Sequence, residues 1–208
     1  MPTLLLTGFE PFGGASINPS AEVVRRFAID GSDALEIVTA ILPVDALAAP
    51  RLLSESLLDL RPDACMMLGQ ADGYAALAVE RVAVNLCDFT IPDNAGVQRI
   101  DEPIVPGGPA AYFATAPVSD IVQAARAADV PAELSLSAGA YLCNMVYYTA
   151  LHVCSLHNLA TRCVFIHLPS LPAQANGDHR PRPTMALETM YSGVRAALRV
   201  LTEIPLNA

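Results

Sequence analysis

A chain of 208 residues, 53% of them hydrophobic, is read as a single domain over residues 1–208 with a sizeable core of its own. Its net charge of −9, with only 12 scattered Lys and Arg, excludes nucleic acid and anionic membrane as expected partners, because both need clustered cations. Charged residues make up only 16%, so some apolar surface is expected to meet another subunit in a homo-oligomer.

The chain opens Met1-Pro-Thr-Leu-Leu-Leu-Thr-Gly8, an apolar stretch with no basic flank and too short for a signal peptide. No run approaches the ~18 apolar residues of a membrane span. The five cysteines, at 65, 87, 143, 154 and 163, are odd in number and form no CxxC pair, so they read as reduced thiols. A reducing cytoplasm is the expected compartment.

In chain order, short apolar runs bounded by Gly and Pro alternate with segments of helical period, the pattern of an α/β sandwich with a largely parallel sheet. Leu4–Thr7 reads as a buried strand, followed by the Gly/Pro-rich loop 8–14 and a helix over Ser20–Phe27 with Ser20 as its cap. A strand over Leu35–Leu42, a helix over Ala46–Leu60 and a strand over Ala64–Leu68 follow. Ala76–Leu86 is Val-rich and reads as one strand with Glu80 partway along it. Asp88–Pro109 is rich in Pro, Gly, Asp and Asn, and its interspersed Ile and Val residues predict an ordered loop. A helix over Ser119–Ala128, a strand over 132–136, a helix over 144–158, a core strand over Cys163–His167 and a final helix over Thr184–Leu201 complete the chain.

Cys143 is the residue that points most directly to chemistry. It stands where a turn containing Gly139 runs into a helix, and the unpaired N–H groups and positive dipole of a helix N-terminus favour a thiolate. A small buried apolar residue is the plainer reading of any free cysteine. A cysteine nucleophile needs a base within reach and a group that orients the base. His167 ends the apolar strand Val164–Ile166, so it and Cys143 would open on the same rim at the carboxyl ends of strands. Glu80 interrupts the apolar run 75–84 and needs a cationic or hydrogen-bonding partner; His167 and the adjacent Arg81 are both available. Asp93 is the alternative orienting acid, although Pro-Asp-Asn is also a good turn. His152, Cys154 and His157 look superficially like a metal cluster, but their spacings do not share one helical face. His179 sits in a loop-like Asn-Gly-Asp-His-Arg-Pro run. Phe9 and Phe12 lie in the 8–14 loop, where they could cover a small planar ligand or simply anchor the loop. Neither a P-loop nor a dinucleotide fingerprint is present.

Together these segments closely resemble the pyroglutamyl peptidase I family, the pyrrolidone-carboxylate peptidases. The resemblance rests on Thr7-Gly-Phe-Glu-Pro-Phe-Gly-Gly14, Asn18-Pro-Ser20, Gly69-Gln-Ala71, Glu80-Arg-Val-Ala-Val-Asn85, Ile91-Pro-Asp-Asn94, Gly108-Pro-Ala-Ala-Tyr-Phe113, Cys143-Asn144 and Phe165-Ile-His-Leu-Pro169. It implies an α/β/α sandwich, usually a homotetramer, with no metal or organic cofactor, that removes an N-terminal pyroglutamyl residue from peptides. The family's nucleophile, base and orienting acid fall on Cys143, His167 and Glu80. The ring-binding positions fall on Phe9, Phe12, Gln70, Ile91, Tyr141 and Leu142, with Asn18 supporting the loop beside them. Two positions depart from the pattern: Tyr74 and Thr90 stand where the family usually has arginines, the second of which is thought to help stabilise the oxyanion. A related cysteine amidase with another small cyclic or acyl substrate, and a non-catalytic binding homologue, are the competing readings.

Overall fold

A computed structural model describes residues 1–32, 35–175 and 182–203. Three apolar runs form the centre of the main sheet: β1 (Thr3–Phe9), β3 (Ala64–Gln70) and β8 (Arg162–Leu168). Strands covered on both faces must be apolar throughout, and side-chain alternation sorts their residues into two cores. Leu4, Leu6, Met66, Leu68, Val164 and Ile166 face one core, while Leu5, Cys65, Met67, Cys163 and Phe165 face the other.

Flanking these strands are β2 (Glu36–Leu42), β4 (Leu77–Glu80) and β7 (Ala132–Ser135), in the order β2-β1-β3-β8-β4-β7. Every neighbouring pair is parallel except β4 and β8, which run antiparallel. The first core is closed by α1 (Pro19–Asp30), α3 (Val118–Ala127) and α5 (Leu187–Glu203). The second is closed by α2 (Ala48–Leu60) and α4 (Leu142–Leu156). The architecture is therefore the α/β/α sandwich with a largely parallel, mixed sheet. Among the described residues no helix is long and apolar enough to cross a membrane.

Several boundaries differ from the sequence-based expectation. Asn18, not Ser20, caps α1: its Oδ1 accepts from the Ser20 N–H at 3.0 Å and the Ser20 hydroxyl at 2.8 Å. Pro19 has no N–H and a helical φ, which suits it to the first helical position and leaves Ser20 inside the helix. The Ser20 hydroxyl instead accepts from the Phe9 N–H at 2.9 Å, tying the helix start to the end of β1. The run 76–86 is two strands. After Glu80 the chain leaves the main sheet, and β5 (Val82–Val84) pairs antiparallel with β6 (Ala111–Phe113), a strand its three residues did not announce. Thr184 forms a bridge with Ser170 rather than starting the last helix.

The 88–109 segment is tied down along its length. Cys87 bridges to Glu102, and the Asn85 amide donates to the Val105 carbonyl at 2.8 Å. The buried Asp93 carboxylate accepts from the N–H groups of Ala46, Ala95 and Val97.

Candidate active site

β3 and β8 run side by side in register Gly69↔His167, so their carboxyl ends open together. The first turn of α4 sits directly above. Cys143 is the second residue of that helix and is half-buried, and a Cβ built on Gly69 would stand 2.8 Å from its Sγ. Only glycine leaves room for the thiol at this strand end. Because β4 runs against β8, its last residue comes alongside the same imidazole: Glu80 Oε1 lies 2.7 Å from His167 Nδ1, a charge-assisted hydrogen-bond distance. Glu80 is fully buried and His167 nearly so.

Burial opposes a charge on His167, but the Cys143 charge, its hydrogen bond, and then Glu80 outweigh it and raise the imidazole to about 9. The structure thus gathers Cys143, His167 and Glu80 at one strand end. Arg81 turns away and donates to the Ser119 hydroxyl at 3.0 Å, and Asp93 organises its own turn far from the imidazole bond.

The start of α4 has a second property. Tyr141 occupies the N-cap position with no side-chain hydrogen bond, so nothing caps the first turn. The N–H groups of Leu142, Cys143 and Asn144 have no carbonyl one turn back and form a ready site for an oxyanion. Asn144 is fully buried and clamps β5: its Oδ1 accepts from the Val84 N–H at 2.9 Å, and its Nδ2 donates to the carbonyls of Val84 at 2.9 Å and Leu86 at 3.0 Å.

Cys143 and His167 open into a pocket of about 150 Å³. Phe9, Phe12, Asn18, Gln70, Tyr141 and Leu142, positions the resemblance marks for the ring and its supporting loop, line it. Ile91 does not; it is 43% exposed and borders an adjoining groove, because the Asp93 carboxylate turns inward at that bend. Val44 and Ala138 also line the pocket and were missed, since small apolar residues there look like ordinary core. The Phe9–Gly14 loop is held by Glu10, whose Oε1 accepts from the Val44 N–H and the Asn94 amide, both at 2.9 Å. Asn18 donates to the Glu10 carbonyl at 2.9 Å. Burial, then Asp93 and Cys143, push Tyr141 up to about 12, and its neutral hydroxyl donates to the Pro92 carbonyl at 3.2 Å. The pocket therefore has apolar walls and neutral amides, with no carboxylate to attract an ammonium.

The family profile described as pyroglutamyl peptidase matches residues 2–204. The chain belongs to the pyroglutamyl peptidase family. It is 48% identical over 198 residues to the pyrrolidone-carboxylate peptidase 1 of Ralstonia nicotianae, covering 95% of this chain and 92% of that one. With the pyrrolidone-carboxylate peptidase of Thermococcus kodakarensis it shares 45% over 202 residues, 96% of each chain. The structure superposes on pyroglutamyl peptidase I of Bacillus amyloliquefaciens with a TM-score of 0.93 at 34% identity, covering 98% of both chains. The pyrrolidone carboxyl peptidase of Thermococcus litoralis gives 0.92 at 37% identity, covering 96% of this chain and 93% of that one.

Of the two positions that depart from the family pattern, Thr90 is exposed at the start of the Ile91–Asn94 turn. Tyr74 is half-buried, with its ring centroid 6.3 Å from that of His167. Burial, then the Glu80 and Glu133 charges, raise the Tyr74 phenol and keep it neutral. His152 engages the Tyr112 hydroxyl at 2.9 Å, and Cys154 packs against Cys163 with the sulfurs 3.7 Å apart. Among the described residues no group of three His, Cys, Asp or Glu is placed to hold a metal. His179 lies outside the described residues.

Proposed function

We propose that this member of the pyroglutamyl peptidase family removes the N-terminal pyroglutamyl residue from peptides, with Cys143 as nucleophile, His167 as base and acid, and Glu80 as the orienting carboxylate. The carrying observation is the Glu80–His167 pair beside Cys143, opening on a small, largely apolar pocket with no carboxylate in its lining. Pyroglutamate is a neutral lactam, so its recognition needs apolar walls and a few hydrogen-bond groups and no carboxylate for a free amine. Phe9, Phe12, Tyr141 and Leu142 supply the walls, and Gln70 and Asn18 the amides.

The Cys143 thiolate attacks the pyroglutamyl carbonyl, and the oxyanion forms toward the uncapped first turn of α4. His167 gives its proton to the departing amine as the C–N bond breaks, leaving a thioester. It then takes a proton from water, whose oxygen attacks the thioester and releases pyroglutamic acid and the Cys143 thiolate, restoring the thiolate–imidazolium pair. Glu80 holds the ring and stabilises its charged form throughout.

The whole chain acts as one peptidase unit in this reading. The exposed Phe113, Leu136 and Leu156 support a homo-oligomer, with a tetramer favoured by resemblance. A reducing cytoplasm fits an odd number of cysteines with no CxxC pair. A cysteine amidase acting on another small cyclic or acyl group is the second reading, favoured by Tyr74 beside His167 and the exposed Thr90. Release of a fluorogenic amine from its pyroglutamyl amide, abolished in Cys143→Ala, is the expected result. An active Cys143→Ala protein would overturn the mechanism, and an alkylatable but inactive wild type would favour the second reading.

A further inference from the structure

The ring pocket has a larger neighbour. A groove of about 800 Å³ shares Phe12 and Gln70 with it, so the two lie side by side. The ring pocket, at about 150 Å³, holds one small ring, whereas the groove falls within the ~300–1,000 Å³ of sites that enclose larger ligands. Its floor follows directly from the reactive strand ends. Asp72 comes just after Gln70 on the chain leaving β3, and Ser170 and Gln174 come just after His167 on the chain leaving β8. The groove thus lies at the same carboxyl ends of β3 and β8 at which His167 acts.

The groove is also built rather than merely open. The Gln70 amide donates to the Ser170 hydroxyl at 3.1 Å, Ser170 donates to Asp72 at 3.0 Å, and Gln174 donates to Gln70 Oε1 at 3.0 Å. Asp72 also pairs with Arg182, and both side chains remain nearly half exposed. They present opposite charges that cancel to whatever lies in the groove. Gly13 and Gly14 form the facing edge, with positive φ and nothing within 4 Å of where their side chains would stand. Such a surface offers backbone-type hydrogen bonds and no net charge, which suits an extended peptide and not a charged small molecule.

We propose that this groove is the leaving-peptide subsite, taking two or three extended residues beyond the scissile bond with little selection for their charge. The assignment rests on the pyroglutamyl peptidase reading. Binding energy gathered there is available to the transition state, so longer substrates are cut more efficiently.

The test is kcat/KM for pyroglutamyl-Ala-amide, the di-alanine and tri-alanine amides, and a fluorogenic pyroglutamyl amide, in the wild type and in the groove-filling Ala15→Trp. Ala15 is exposed, so a bulky side chain there does not enter the core. The expected result is a rise of about tenfold from one alanine to three in the wild type, equivalent to one or two net hydrogen bonds, collapsing to near unity in Ala15→Trp. The ratio is read within one protein, so losses common to all substrates cancel. Hydrolysis of every substrate with no dependence on length would overturn the subsite alone, as would a wild-type rise that survives Ala15→Trp. Failure to cut any pyroglutamyl substrate would overturn the functional reading and this assignment with it.

Discussion

At the residue scale the site is defined by what surrounds each reactive group. Cys143 is the half-buried thiol, while Cys65, Cys87, Cys154 and Cys163 are 4% exposed or less. Burial also pushes Cys87 up to about 11, and contact with Cys163, then burial, push Cys154 up. Iodoacetamide at neutral pH should therefore label Cys143 alone, read by peptide mass mapping; equal labelling of a buried cysteine would refute this ordering. His167 is held charged to about 9 partly by Glu80, so the alkaline limb of kcat/KM should fall near that value. Glu80→Gln removes a charge that raises the imidazole, so the limb should move to lower pH, with kcat reduced by about 10²–10⁴. A limb that stays put would show that Glu80 has no electrostatic hold on the ring. These three residues were legible because each breaks a local rule: a cysteine at a turn-to-helix junction, a histidine closing an apolar strand, a glutamate inside an apolar run. Val44 and Ala138 break none, and their place in the pocket is set by packing alone.

At the element scale, two close approaches hold α4 in place over the sheet. Gly69→Ala would put a Cβ 2.7 Å from Phe165 Cζ and 2.8 Å from Cys143 Sγ, so the thiol or the helix must shift. A misplacement of that size costs about 10²-fold in turnover, with the fold retained by circular dichroism. Full activity in Gly69→Ala would show that the thiol tolerates movement. Asn144→Ala strips two hydrogen bonds from Val84 of β5 and one from Leu86 and leaves those backbone groups unpaired, a loss of about 1–3 kcal/mol. Thermal unfolding should register it as a fall of about 2–4 °C per kcal/mol. The central strands were legible because burial on both faces demands unbroken apolar runs. The break after Glu80 was not, because β4 and β5 have the same Val-rich composition and differ only in which sheet pairs with them. The cap of α1 turned on one residue, since Asn18 and Ser20 are both good caps and Pro19 decides between them.

At the scale of the whole molecule, the site links stability to pH. His167 is raised from 6.5 to about 9 on folding, so its protonated form contributes stability that is complete below 6.5 and is lost as pH rises through 9. Chemical denaturation at pH 6 and pH 9.5 should show this loss, and Cys143→Ala, which removes a charge that raises the imidazole, should diminish it. A pH-independent difference between the two proteins would contradict the coupling.

The strand order carries a further consequence. β8 is the last strand along the described chain, yet it lies in the middle of the sheet, between β3 and β4. During synthesis the β2-β1-β3 half can pair early, but it meets the β4-β7 half only when residues 162–168 have left the ribosome. Until then the apolar edges of β3 and β4 stand open to other chains, the condition under which strands pair wrongly and aggregate. Glu80 also waits without its imidazole, a polar group that is costly to bury without a partner. Insertion of β8 closes the seam and supplies the base in one event. The nascent chain thus has no working protease until its last described strand is in place, and the edges that invite mispairing disappear at the moment its chemistry begins.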